Sequence, residues 1–259
     1  MECKRRIRDI SFVPPGAILG IMACIMLDNH GTVSWLFEGI TCIFGFITAS
    51  LSEYGAYGQY VIPVFAAVAG GFYYYQEAKS GIVRMVVYRS GYKRYCLKKI
   101  LAAFGTGAIV MAVAMVGWCL ISLPFTTLSN QDWIKDIISL YPYCNLLVSG
   151  RTGWYVGLFL VMPSLWCGLW AVTVMCITSI TLNPYIAVLS PLVITFAAER
   201  LWGMLKLPYA MFPKGWFFMT DTLGNDSLTF WGSILFLTGM LLVLGIIFAY
   251  RVRRYVAYA

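Results

Sequence analysis

The most chemically distinctive residues lie in one stretch, EAKSGIVRMVVYRSGYKRYCLKK, which covers residues 77 to 99. It begins with a single acid, Glu77, and ends in a cluster of cations. At 100° per residue, a helix over residues 80–89 places four aliphatic side chains on one broad face, with Met85 at its edge and Arg84 and Tyr88 opposite. The four are Ile82, Val83, Val86 and Val87. Such a helix binds rather than catalyses.

An amphipathic helix among cations has two interpretations. It can lie on a lipid surface, with its apolar face in the leaflet and its cations on phosphate groups. Alternatively, its apolar face can fill a groove in a protein partner. Both interpretations stay open on the residues alone.

Residue patterns typical of bond-making chemistry are absent from the sequence. A single histidine, His30, excludes an HExxH zinc site, and no GxSxG nucleophile elbow or GxxxxGK[ST] phosphate loop is present. The eight cysteines contain no CxxC pair and mostly lie in apolar runs, which predicts buried hydrophobic residues rather than a metal or disulfide framework. We therefore expect no metal, and no cofactor bound by this chain.

The elements that position this stretch are apolar enough to cross a bilayer. Of the 259 residues, 60% are hydrophobic and only 12% are charged, which predicts an all-α polytopic membrane protein. Residues 152–198 carry no charge. As one helix they would extend about 70 Å, more than twice a hydrocarbon core of ~30 Å. They must therefore form two crossings, and Asn183-Pro184 is the predicted turn.

The same reasoning predicts six transmembrane helices in one domain spanning residues 1–259. The predicted spans are 12–27, 57–75, 100–123, 154–181, 184–202 and 230–250. Residues 35–52 are nearly long enough to be a seventh span, and we interpret them as an interfacial or re-entrant segment. The connections 124–153 and 203–229 are predicted to contain short interfacial helices on the outer face.

Charge favours six crossings over seven. With both termini cytoplasmic, 14 of the 19 cations and three of the 11 acids lie on the inner side, as the positive-inside rule requires. Attraction to anionic lipid of the inner leaflet is sufficient to account for the net charge of +8, so no nucleic-acid partner is expected. Acids are nearly absent from the spans, which disfavours a proton- or ion-coupled carrier.

The order of residues in the basic stretch resembles the loop after the second span of ABC-2-type transporter permeases. Both have an acid, a Gly-x-aliphatic-basic helix start, further cations and a Lys entering the third span. Here these positions are Glu77, Gly81-Ile82-Val83-Arg84, Arg89 to Arg94 and Lys98-Lys99. Ile82 stands where the family usually has threonine, and Ser90-Gly91 replaces its proline turn.

This resemblance implies a membrane subunit that pairs with a second permease chain, as a homodimer or a heterodimer. Two cytoplasmic ABC subunits would bind ATP and Mg²⁺ and hydrolyse the ATP, so the chain itself would not be an enzyme. Residues 80–90 would be the coupling helix seated in the ATPase. The residues implied in that contact are Glu77, Gly81, Ile82, Val83, Arg84, Val86, Val87 and Arg89.

The cargo implied is a hydrophobic or amphipathic molecule, above all a peptide toxin or antimicrobial peptide, exported across the cell membrane of a Gram-positive bacterium. Two other classes remain open. One is a membrane sensor or scaffold without transport activity. The other is an intramembrane enzyme acting on lipids, which would need a cluster of polar residues that the spans do not show.

Overall fold

The computed structural model describes residues 13–28, 56–124 and 142–257. These residues form helices and connecting turns, and none of them lies in a β-strand. The helices are α1 (Val13–Asp28), α2 (Ala56–Lys79), α3 (Ile82–Ser90), α4 (Tyr92–Ser122), α5 (Cys144–Val148), α6 (Thr152–Ile180), α7 (Pro184–Met204), α8 (Pro213–Phe218) and α9 (Asp226–Ala257), with a 3-10 turn at Tyr209–Met211.

Helix α6 is the centre of the bundle. It packs against α2, α4, α7 and α9, and 72% of its most apolar window is buried, compared with 22% in α7 and in α9. A membrane helix that is apolar on all sides can face either lipid or protein, so hydropathy alone does not distinguish these positions. α4, α7 and α9 instead expose most of their apolar windows, of which 33%, 22% and 22% are buried.

Among the described residues, four helices are long and apolar enough to cross a membrane. These are Tyr92–Ser122, Thr152–Ile180, Pro184–Met204 and Asp226–Val256. The predicted span 12–27 corresponds to α1, which is described over Val13–Asp28. The predicted span 57–75 lies within α2, whose 24 residues include the apolar run Tyr60–Gly71. The protein is thus membrane-spanning by composition, whereas six crossings and the side of each terminus remain predictions.

Several helices extend beyond the predicted spans. α4 begins at Tyr92 rather than at residue 100, and α9 continues to Ala257 rather than ending at residue 250. The hydrocarbon core limits apolar length but does not end a helix, and Lys and Arg are good helix formers in water. The predicted segment 35–52 and most of the connection 124–153 fall outside the described residues.

The predicted turn between the fourth and fifth crossings is confirmed. α6 ends at Ile180, and α7 begins at Pro184, which takes the first helical position. The Asn183 side chain accepts a hydrogen bond from the Tyr185 backbone N–H at 3.0 Å. Asn at the N-cap followed by Pro is a strong helix start, since the cap satisfies a free donor and Pro lacks one.

The described charges separate to the two ends of the bundle. One end, which we call the basic end, consists of the last turn of α2, α3, the first two turns of α4 and the last turns of α9. It carries ten of the 14 described cations and one of the five described acids. The cations are Lys79, Arg84, Arg89, Lys93, Arg94, Lys98, Lys99, Arg251, Arg253 and Arg254. The opposite end carries four cations and four acids.

Candidate functional site

The candidate site is the connection between α2 and α4 at the basic end. Two glycines bound it: Gly81 has φ +71° and Gly91 has φ +77°. Side chains other than glycine rarely adopt these values, so the chain can reverse direction sharply on both sides of α3. The predicted short helix is present over Ile82–Ser90, suspended between these turns.

The aliphatic face of α3 is partly covered by the protein itself. Val83 and Val87 are buried, and α3 packs against α2 and α4. Val86 is half-buried. Because the two valines are one helical turn apart, they point together into the bundle rather than towards a partner. This differs from the sequence-based expectation that all four aliphatic residues face outward.

The exposed apolar surface of α3 consists instead of Ile82, Met85 and Tyr88. Their exposed fractions are 43%, 62% and 79%. They lie next to Arg89, which is also exposed, and the first turns of α4 add the exposed cations Lys93, Arg94 and Lys98. We call this combined surface, Ile82, Met85, Tyr88 and the four cations, the α3 face.

Glu77 joins the two spans that carry α3. One carboxylate oxygen forms an ion pair with the Lys99 ammonium, and the other accepts a hydrogen bond from the Tyr95 hydroxyl at 3.0 Å. The Lys99 ammonium also lies 5.9 Å from the centroid of the Tyr95 ring. The last turn of α2 and the first two turns of α4 are therefore fixed to each other.

Arg84 joins α3 to the end of α9. Its guanidinium carbon lies 5.6 Å from the centroid of the Tyr255 ring, a cation–π distance. The Tyr255 hydroxyl donates to the backbone carbonyl of Ala78 at 3.3 Å. Tyr255 thus contacts the end of α2 and the start of α3 together.

Sequence reasoning singled out Glu77 and Arg84 but missed their partners Tyr95 and Tyr255. A lone acid in a cationic stretch does signal an ion pair, yet it does not indicate which of several cations it takes. Nothing in the sequence pairs Arg84 with Tyr255, because the two lie in elements far apart along the chain.

A small cleft adjoins the Glu77 pair on its membrane side. It has a volume of about 280 Å³ and lies between α2, α4 and α6. The lining residues are Gly70, Tyr74, Lys99, Ala102, Ala103, Thr106 and Met175. Lys99 is therefore shared between the ion pair and this cleft.

Groups suited to metal binding are not assembled in the part of the chain described here. No cluster of three or more His, Cys, Asp or Glu side chains occurs among these residues, and the six described cysteines are free thiols. Outside the spans, burial and the nearby Asp226 carboxylate raise the pKa of the Cys144 thiol to about 11, which keeps it protonated and unreactive.

The described contacts of the basic end are an ion pair, hydrogen bonds and a cation–π contact. Comparisons with protein-family models, curated proteins and solved structures give no match to this chain. The geometry provides an apolar and cationic surface on a helix that is mechanically joined to three long helices. Such a surface can bind a partner or a lipid layer and transmit a displacement.

Proposed function

We propose that this protein is the permease subunit of an ATP-binding cassette exporter and that the α3 face is the surface on which its ATPase partner acts. The observation that carries the proposal is the placement of α3. A glycine turn flanks it at each end, its buried side packs against α2 and α4, and its Arg84 contacts Tyr255 of α9. The resemblance of this stretch to ABC-2-type permeases supports the same conclusion.

The contacts provide a route for force. A push on α3 reaches α2 and α4, against which α3 packs with Val83 and Val87 buried, and reaches α9 through the Arg84–Tyr255 contact. The Glu77–Lys99 pair links α2 to α4 next to this point, so the two helices move together under the same push. α3 therefore acts as a short lever rather than as a loose loop.

The spans contain points at which they can bend. Pro63, Pro163 and Pro191 lie inside α2, α6 and α7, where proline removes one backbone hydrogen bond. Neighbouring helices must satisfy the freed carbonyls, and the spans can then change direction at these points. Bending helices suit a path that opens alternately to each side.

In this proposal ATP and Mg²⁺ bind to the cytoplasmic partner and none to this chain. A second permease chain, identical or related, completes the pathway. The basic end is cytoplasmic, both termini lie on that side, and six segments cross the cell membrane of a Gram-positive bacterium. The cargo is an amphipathic or antimicrobial peptide.

The proposal is tested by changing the exposed part of α3. Met85→Asp with Tyr88→Asp should abolish co-purification with the ATP-binding subunit. Each uncompensated buried charge costs several kcal/mol, and a micromolar contact totals only about 8 kcal/mol. The change should leave folding intact because both side chains are exposed.

Two controls separate binding from folding. Val148→Asp makes the same kind of change at an exposed residue of the opposite end and should leave the complex intact. Val83→Asp with Val87→Asp should instead destabilise the permease itself, since both residues are buried. If the Met85 and Tyr88 variant retains the ATPase at wild-type stoichiometry, the docking proposal is wrong and α3 is a lipid-surface helix. If the wild-type protein co-purifies with no ATPase, it is a sensor or scaffold instead.

A further inference from the structure

A second charged cleft lies at the opposite end of the bundle, between α2 and α7. Its volume is about 430 Å³. The lining residues are Tyr60, Phe196, Glu199, Arg200, Gly203 and Met204. None of them has a role in the function proposed above.

Glu199, the only acid among the described residues that line this cleft, already has two partners. One carboxylate oxygen of Glu199 accepts a hydrogen bond from the Lys214 ammonium at 2.6 Å, and the other accepts one from the Tyr60 hydroxyl at 2.5 Å. The Lys214 side chain is only 7% exposed, and its ammonium lies 5.3 Å from the Tyr60 ring centroid. These three side chains form a fixed wall.

Arg200 has no carboxylate to neutralise it in the described part of the chain. Its guanidinium carbon lies 5.1 Å from the Phe196 ring centroid, and no described acid is within ion-pair distance. Stacking on a ring occupies the guanidinium face and leaves its N–H edges available. Arg200, which lines the cleft, therefore offers it a guanidinium with available N–H groups, and these suit an anion.

The position of the cleft identifies the anion. Arg200 lies in the last two turns of α7, after an uncharged apolar run, and so at the level of the membrane–water boundary. Val193 and Phe196, which precede Arg200 in α7, are apolar side chains that are about half exposed. Phosphate groups are the anions concentrated at this level, and a guanidinium can bind two phosphate oxygens at once.

We propose that this cleft binds a phosphate group through Arg200. At this depth the group can come from a lipid headgroup, whose acyl chains would lie along α7, or from a free phosphate ester. The site is independent of the exporter proposal, since it needs neither the ATPase nor transport.

Native mass spectrometry of the purified full-length protein tests the site. The probe is phosphatidylglycerol, compared with a glycosyl diacylglycerol of the same acyl chains that lacks phosphate. Wild-type protein should retain phosphatidylglycerol at least about tenfold more tightly than Arg200→Gln, as expected for one charge-assisted bidentate contact. Arg200→Lys should retain phosphatidylglycerol with intermediate affinity, because an ammonium keeps the charge but cannot bind two phosphate oxygens in the bidentate geometry of a guanidinium.

Two controls show whether the effect is specific to Arg200 and where the phosphate group comes from. Arg151→Gln removes an exposed cation from the same end and should not change retention. If soluble glycerol phosphate competes at equal affinity, the source is a free phosphate ester; if it does not compete, the source is the lipid. Equal retention of the phosphate-free lipid by the wild type, or unchanged phosphatidylglycerol binding by Arg200→Gln, would overturn the proposal.

Discussion

Glu77 occupies an unfavourable position for an acid, in the last turn of α2, where the helix dipole presents its negative end. The ion pair to Lys99 and the hydrogen bond from Tyr95 compensate for this placement. The acid is consequently held by α4 rather than by its own helix. A carboxylate held in this way serves as a joint between two spans.

Glu77→Gln should lower the free energy of unfolding by about 1 kcal/mol, because the amide cannot pair with Lys99 and the pair is partly exposed to solvent. Thermal unfolding in detergent measures the change. In a double-mutant cycle, adding Lys99→Met to Glu77→Gln should cause little further loss of unfolding free energy, because the pair is already broken. Adding Lys98→Met should instead give the sum of the two single effects. Full additivity with Lys99→Met would contradict the assigned pair. Under the proposed exporter function, the Glu77→Gln protein should assemble with the ATPase but show weaker substrate-stimulated hydrolysis.

At the scale of the helices, glycine sets how closely α2 and α4 approach α6. A Cβ at Gly70 would lie 2.5 Å from the Ala103 carbonyl oxygen and 2.7 Å from the Ala171 Cβ. A Cβ at Gly107 would lie 2.7 Å from the same Ala171 Cβ and 2.9 Å from the Cys167 carbonyl oxygen. Small residues on all three helices therefore allow backbone contact around Ala171, the usual basis of helix association in lipid.

Gly107→Ala should destabilise the protein by roughly 1–3 kcal/mol, since the added methyl meets backbone atoms that cannot move independently. Gly105→Ala is the matched control: it lies in the same helix, and a Cβ there meets nothing within 4 Å. It should be neutral or slightly stabilising, because alanine is the better helix former. Unfolding midpoints in the same detergent compare the two, and equal effects would mean that the α4–α6 contact is looser than described.

For the whole molecule, the separation of charge between the two ends is the main indicator of orientation. The basic end carries ten described cations and one acid, whereas the opposite end is balanced, so the positive-inside rule predicts a cytoplasmic basic end. The tertiary contacts strengthen this reading, because Arg84 and Tyr255 show that the α2–α4 connection and the end of α9 share one side.

Cysteine labelling in intact cells tests this orientation. Asn225→Cys, exposed at the opposite end, should react with a membrane-impermeant maleimide, whereas Lys93→Cys should react only after permeabilisation. The six described native thiols are buried or half-buried and serve as the background. Labelling of Lys93→Cys from outside would reverse the orientation and with it the proposed site of the ATPase.

The sequence by itself determined the membrane class, most helix positions, the Asn183-Pro184 turn and the existence of a helix over residues 80–89. These depend on local composition, on chain length against bilayer thickness and on caps within a few residues. Only the tertiary structure decided that Val83 faces the bundle and that Met85 faces out. Periodicity defines a face but not what covers it. The tertiary structure also decided the pairing of Glu199 with Lys214, because contacts between separate elements depend on how whole helices pack.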